Sequence, residues 1–467
     1  MHIIAGLWTY LLPFLVVLTI LIFVHEFGHY LIARRCGVKV EVFSFGFGPE
    51  LFGYTDVAGT RWKCCAIPLG GYVKMFGDAD AASTPDERVT EMSAEEKAVS
   101  FYHKRVGQRI AIVAAGPLAN YLFAVVVLAL LFMTSGQPFV PAVIGKIQPG
   151  SAAEAAGFVI GDAVTAIDGV AVERFEQLQQ IVRAAPGRTL AMTVKRNGRL
   201  VVLSATPRDS TTSGLFGLVR FSFGVLGVGA HSAPVIGSVV GLDEKGAGLT
   251  AGDTILSVDG TVVESFDQVM QIVRRSPGQA LQITVERGGR KIELQATPEA
   301  VRVNDRNGST QTVGRLSIGR AIAYRQYDPF SAVLRAVDET VSISRETLAA
   351  IGQMMVGARG TEEFGGPLRI AEMSGDVARN GLVSLIWFIA MLSINLGLIN
   401  LFPIPLLDGG HLMFYGIEAI RGRPLSERAQ EYGFRIGLAL VLTLMVFATW
   451  NDLVHLRVVE FVMGLFF

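Results

Sequence analysis

Four runs of apolar residues, each near the length of a membrane crossing, set the pattern of this chain. They cover roughly Leu7 to Ala33, Ile110 to Thr134, Leu382 to Phe402 and Phe434 to Trp450. A helix needs about 20 residues to cross a hydrocarbon core about 30 Å thick, so each run predicts a spanning helix. The first run lacks the basic start and small-residue cleavage site of a secretory signal. It is also longer than a typical signal core, and is expected to remain as a span. Basic residues cluster at matching ends of the runs: Arg34, Arg35 and Lys39 after the first, Lys104, Arg105 and Arg109 before the second, and Arg421, Arg423 and Arg428 between the last two. The positive-inside rule makes that side cytoplasmic, so both termini and the stretch from about 135 to 380 are expected outside.

Within that outer stretch the pattern repeats with a period of 91 residues. Gly161-Asp162 recurs as Gly252-Asp253, Asp168-Gly169 as Asp259-Gly260, Pro186-Gly187 as Pro277-Gly278, and Thr206-Pro207 as Thr297-Pro298. So many anchors at one offset mark a duplicated unit. Each copy reads as a strand, a Gly/Ala-rich turn, a short strand ending in Asp-Gly, a helix (Phe175–Ala184, Phe266–Arg275) and a hairpin around Asn197-Gly198 or Gly288-Gly289. This order resembles two α+β PDZ domains, at 141–207 and 233–298. PDZ domains take an extended peptide as an added strand, and the resemblance implies either a peptide ligand or a bulky screen. The Ser/Gly/Phe-rich segment 208–232 reads as a linker. The region 299–380 reads as an external connection with an amphipathic helix near Val333–Met355, and the acidic stretch 78–100 as a solvated loop.

Composition strengthens the membrane reading. Of the 467 residues 51% are hydrophobic and only 18% charged, against about 25% charged in soluble domains, and the mean hydropathy is +0.44. A formal net charge of zero gives no reason to expect a nucleic-acid partner. The three cysteines, Cys36, Cys64 and Cys65, all fall on the expected cytoplasmic side and read as reduced thiols. The outer region has none, so packing must hold it together.

The first run carries chemistry that a spanning helix does not need. His25-Glu26-Phe27-Gly28-His29 is an H-E-x-x-H motif. Residues four apart share a helix face, so both imidazoles can reach one zinc ion. The intervening Glu26 can take a proton from an attacking water. With seven histidines in the chain, chance yields such a pattern on the order of once in a hundred chains. Buried ionisable groups at this depth need partners or a cavity. At 1.5 Å per residue His25 lies roughly 13 Å before Arg34, in the cytoplasmic half of the membrane.

Zinc needs a third protein ligand. The segment Asn400-Leu-Phe-Pro403-Ile-Pro405-Leu-Leu-Asp408-Gly409-Gly410 interrupts the third run with two prolines, neither of which can donate a helical bond. Broken backbone at membrane depth is tolerated where it lines a cavity, which makes Asp408 the candidate. His411, just beyond, reads as a bystander. Two strands, Val38–Phe47 and Thr60–Ile67, read as a hairpin that could offer an edge to an extended substrate.

H-E-F-G-H in the first span and N-x-x-P-x-P-x-x-D-G-G in a late one together resemble the site-2 protease family. Gly116-Pro117-Leu118-Ala119-Asn120, Gly46-Phe-Gly-Pro49 and Pro68-Leu-Gly-Gly-Tyr72 match it as well. The resemblance implies a zinc intramembrane metalloprotease with His25, His29 and Asp408 as ligands, Glu26 as general base and Asn400 on the substrate backbone or oxyanion. It implies a multi-pass α-helical membrane protein of four transmembrane helices with a membrane-associated β-sheet and two external PDZ domains. The expected divisions are 1–37 (span one), 38–108 (hairpin and loop), 109–135 (span two), 141–207 and 233–298 (the PDZ pair), 299–380 (connection), 381–417 (span three), 418–430 (cytoplasmic loop) and 431–467 (span four and tail). The implied setting is the lipid of the bacterial inner membrane, with the PDZ pair periplasmic. The implied substrates are single-pass membrane proteins such as anti-sigma factors, together with remnant signal peptides. No residue identifies a substrate-binding site.

Overall fold

The computed structural model describes residues 2–78, 91–214, 219–239, 248–304, 310–357 and 365–455. Two compact units emerge, one formed by Met1–Gly136 with Gln326–Phe467 and the other by Gln137–Arg325.

Helix α1 (His2–Arg35) runs unbroken through Pro13, apolar on all sides except at the H-E-x-x-H turn. It leads into β1 (Val40–Thr55) and β2 (Arg61–Met75), both longer than the sequence suggests. The sequence predicts that the first strand ends at Phe47, before Gly48 and Pro49. In the structure Gly46 and Gly48 take positive φ (83° and 86°), so the strand bends and continues. β1 therefore pairs with β2 twice. Its first half lies between Gly71–Met75 and Arg61–Cys64, while its second half pairs with Arg61–Cys65 from the other side. Two chain segments thus make a four-row sheet, with 71–75 at one edge and 50–55 at the other. Aromatic packing of Tyr30 on Phe43 and Trp62 holds the sheet against α1. The Trp62 indole also donates to Asp56 at 2.9 Å.

Most of the acidic stretch, 79–90, lies outside the described residues. Its end forms α2 (Ala94–Val99), capped by Ser93 and Glu96. Helix α3 (Val106–Thr134) follows as the second membrane-length helix.

The second unit opens with β3 (Gln137–Phe139) and closes on β20 (Ala323–Arg325), which pair with each other. Copy one holds β4 (Ile144–Ile147), α4 (Ala152–Ala155), β5 (Ala163–Ile167), β6 (Val170–Ala171), α5 (Phe175–Arg183), β7 (Leu190–Arg196) and β8 (Arg199–Ala205). The segment expected as a linker is instead folded. It carries β9 (Arg208–Gly214), β10 (Val219–Val225) and β11 (Val228–Ala230), and β11 pairs with β4 while Leu226 enters the core. The Ser- and Gly-rich composition of this segment hides these strands in the sequence. Copy two repeats the plan with β12 (Ile236–Val239), β13 (Thr254–Val258), β14 (Thr261–Val262), α6 (Phe266–Arg275), β15 (Leu281–Arg287), β16 (Arg290–Ala296), β17 (Glu299–Asn304), β18 (Thr310–Arg315) and β19 (Ile318–Arg320). β19 pairs with β12, so both copies extend past the boundaries at 207 and 298. One ion pair on a buried aspartate recurs as well: Arg196 on Asp162 and Arg287 on Asp253, each at 2.7 Å. The Arg287 bond holds the Asp253 carboxyl below the usual carboxylate range, so the pair stays charged at neutral pH.

Returning to the first unit, α7 (Pro329–Met355) starts at an Asp328 cap. It covers the stretch where the sequence predicts an amphipathic helix, and it packs against the membrane-length helices. Its small face of Ala332, Ala336 and Thr340 is buried, and the two alanines pack with Ala124, Leu128 and Phe132 of α3. Helix α8 (Pro367–Arg379) was not legible in the sequence; its first amides are capped from afar by the buried Asp452 carboxylate. The third and fourth apolar runs form α9 (Leu382–Asn400) and α11 (Glu427–His455), separated by α10 (Asp408–Arg421). Thr347 of α7 donates to Asn395 of α9 at 2.9 Å. The tail beyond 455 lies outside the described residues.

Candidate functional site

The broken segment between α9 and α10 decides where Asp408 goes. Helix α9 ends at Asn400, three residues before Pro403, and α10 begins at Asp408. Between them Leu406 holds φ at 90°, a strained value for a branched side chain. The Gly pair after Asp408 permits this tight turn. A Cβ on Gly409 would strike the Leu401 and Phe402 carbonyls, and one on Gly410 the Ile404 carbonyl. The turn projects the Asp408 carboxylate at the H-E-x-x-H face of α1.

Three donor atoms converge there. His25 Nε2 lies 3.1 Å from Asp408 Oδ2, His29 Nε2 lies 3.5 Å from Asp408 Oδ1, and the two Nε2 atoms are 3.2 Å apart. Among the described residues, these three form the one group of histidines and acids placed to hold a metal. Their spacing fits zinc. Bonds of about 2.0–2.2 Å at tetrahedral angles place neighbouring ligand atoms about 3.3–3.6 Å apart. Asp408 Oδ2 is buried without a hydrogen-bond partner, which suits an atom meant for a cation.

The three residues line one cavity of about 210 Å³, together with Glu26, Asn400 and His411. All five sequence-derived site residues therefore share a single chamber. His411 faces the chamber but lies outside the three-donor group. Sequence reasoning did not pick out Gly71, Tyr72, Val73 and Met75, which line the same chamber from the sheet edge. The signal was present in Pro68-Leu-Gly-Gly-Tyr72, but only the doubled pairing of β1 shows that this row is an edge. Outer contacts fix the rings: His29 Nδ1 donates to the Ile112 carbonyl at 2.9 Å, and His25 Nδ1 lies 3.1 Å from the Asn120 amide.

An H-E-x-x-H helix long and apolar enough to span a membrane, closed by an aspartate from a broken helix, defines a membrane metalloprotease. The profile of peptidase family M50 matches residues 13–444, and the chain belongs to that family. It is a zinc-dependent metalloendopeptidase. A protein of Agrobacterium fabrum that carries the name of a zinc metalloprotease, Atu1380, is 38% identical over 445 residues, covering 95% of each chain. The regulator of sigma-E protease RseP of Escherichia coli is 37% identical over 467 residues, covering 96% of this chain and 98% of its own. Its Salmonella typhimurium counterpart is 37% identical over 463 residues with the same coverage. Among solved structures, the PDZ domain of an SdrC-like protein from Listeria monocytogenes overlaps 19% of this chain at 19% identity, with a TM-score of 0.15.

Proposed function

We propose that this protease cuts transmembrane segments of single-span proteins within the bacterial inner membrane, in the manner of regulated intramembrane proteolysis. The observation that carries this reading is the placement of the three converging donors and Glu26 on and against a membrane-length apolar helix. In this assignment His25, His29 and Asp408 hold zinc. Zinc, when bound, acidifies water and polarises the scissile carbonyl. Glu26 takes the proton from the attacking water and passes it to the leaving amine. Asn400 donates its amide to the carbonyl oxygen where negative charge develops.

A transmembrane helix shields its peptide bonds and must be drawn into extended form before it can be cut. The edge row Gly71–Met75 lines the chamber and has backbone groups to offer an unwound strand. Substrates of anti-sigma-factor type, and remnant signal peptides, are what the site-2 protease resemblance implies, and relatives named as regulators of sigma-E support the former. The PDZ pair lies in the periplasm in this assignment and restricts access to substrates already trimmed there. Metal removal tests the assignment. Dialysis against a strong chelator should abolish cleavage of a single-span substrate, and stoichiometric zinc should restore it. Activity that survives complete zinc loss would rule the assignment out.

The clusters of basic residues orient the site toward the cytoplasm. A membrane-impermeant thiol reagent applied to intact cells should therefore leave Cys36 and Cys64 unmodified, while labelling a cysteine introduced at the exposed Glu176. Labelling of the native pair without permeabilisation would reverse the orientation.

A further inference from the structure

One face of α3 backs the donor cluster, and its residues are spaced by single helical turns: Ile112, Gly116 and Asn120. A Cβ on Gly116 would run into both imidazoles, so glycine is what lets α3 approach them. Ile112 and Asn120 meet the outer nitrogens of the two rings. A neutral imidazole carries one proton, and a ring that binds metal through Nε2 must carry it on Nδ1. For His29 the choice is closed, because its Nδ1 faces the Ile112 carbonyl at 2.9 Å and a carbonyl can only accept.

His25 faces an amide instead, with Asn120 Nδ2 at 3.1 Å from its Nδ1 and Asn120 Oδ1 buried without a partner. Asn120 has no solvent exposure, so bulk water does not reach it. An Nδ2 donor would require a bare Nδ1, which puts the proton on Nε2, the atom aimed at Asp408 and His29. A half-turn of the carboxamide exchanges two atoms of nearly equal size. One polar amide atom is left without a partner among the described residues in either setting, so the imidazole decides between them. With Oδ1 turned inward, His25 Nδ1 donates to it and Nε2 is bare.

We infer that Asn120 is a positioning residue, which accepts the His25 Nδ1 proton through Oδ1 and so presents Nε2 for zinc. The inference rests on the assignment of His25, His29 and Asp408 as ligands and adds the residue that sets the tautomer of one of them. Outer-shell acceptors of this kind contribute about 10–100-fold in metal affinity.

The test is zinc affinity of the purified full-length protein, measured by chelator competition without substrate. Asn120→Leu keeps the bulk and removes the acceptor, and should weaken zinc by about 10–100-fold. Asn120→Asp can only accept, and should hold zinc at least as tightly as the wild type. If Asn120→Asp loses zinc tenfold or more, the amide acts as a donor and the inference fails, whether or not the leucine variant folds. Unchanged affinity in a folded Asn120→Leu protein overturns it equally. A wild-type chain that binds no zinc would instead defeat the ligand assignment itself.

Discussion

Glu26→Gln should lower the cleavage rate by roughly 10²–10⁴-fold, the usual contribution of a positioned base, while zinc content stays near that of the wild type. The amide preserves size and can still donate a hydrogen bond, but it cannot take a proton from water. Glu26 lines the chamber yet is not one of the three converging donors, which is why activity and metal should separate. Parallel assays of turnover and bound zinc on the purified variant check this. Residual turnover near the wild-type rate would assign the base to another group, with His411, which also lines the chamber, an alternative.

Asp408→Ala should lose both properties. On the proposed assignment it removes one of three ligand side chains and leaves two imidazoles to hold the zinc. The fall in zinc affinity should exceed the roughly 10–100-fold cost of removing an outer partner, and turnover should fall with it. Zinc affinity measured by competition, with turnover at saturating zinc, checks both. An Asp408→Ala protein with stoichiometric tight zinc and full turnover would show that the third ligand lies elsewhere. The strain at Leu406 and the tight fit of Gly409 and Gly410 give the variant no reason to misfold, since neither depends on the carboxylate.

The spans and the site residues were legible for a common reason. A run of apolar residues at membrane length has few alternative readings, and His, Glu and Asp inside such a run stand out against it. The two prolines before Asp408 marked a broken helix, which let a distant aspartate be matched to His25 and His29. Less could be read where long-range packing decides. Gly48 and Pro49 look like the end of the first strand, and only the double pairing of β1 with β2 shows that the chain bends at Gly46 and Gly48 and continues. The strands from Arg208 to Ala230 were hidden because a Ser- and Gly-rich segment lacks clear apolar alternation, although Leu226 and Leu316 stand at matching places in the two copies. The seat of α7 was half visible: Ala332, Ala336 and Thr340 recur every four residues, a small-residue face suited to close helix contact. Asn120 lies 95 positions from His25, and no local pattern links the two.

The most direct test of the central claim is the position of the cut. The purified protein, reconstituted in lipid vesicles with a single-span substrate whose periplasmic domain has been removed, should yield two fragments. Mass spectrometry should place their junction inside the apolar span, toward its cytoplasmic half, and both fragments should form at least about 100-fold more slowly with the Glu26→Gln variant. A junction in a soluble segment outside the span, or fragments that form with Glu26→Gln at near the wild-type rate, would contradict the account.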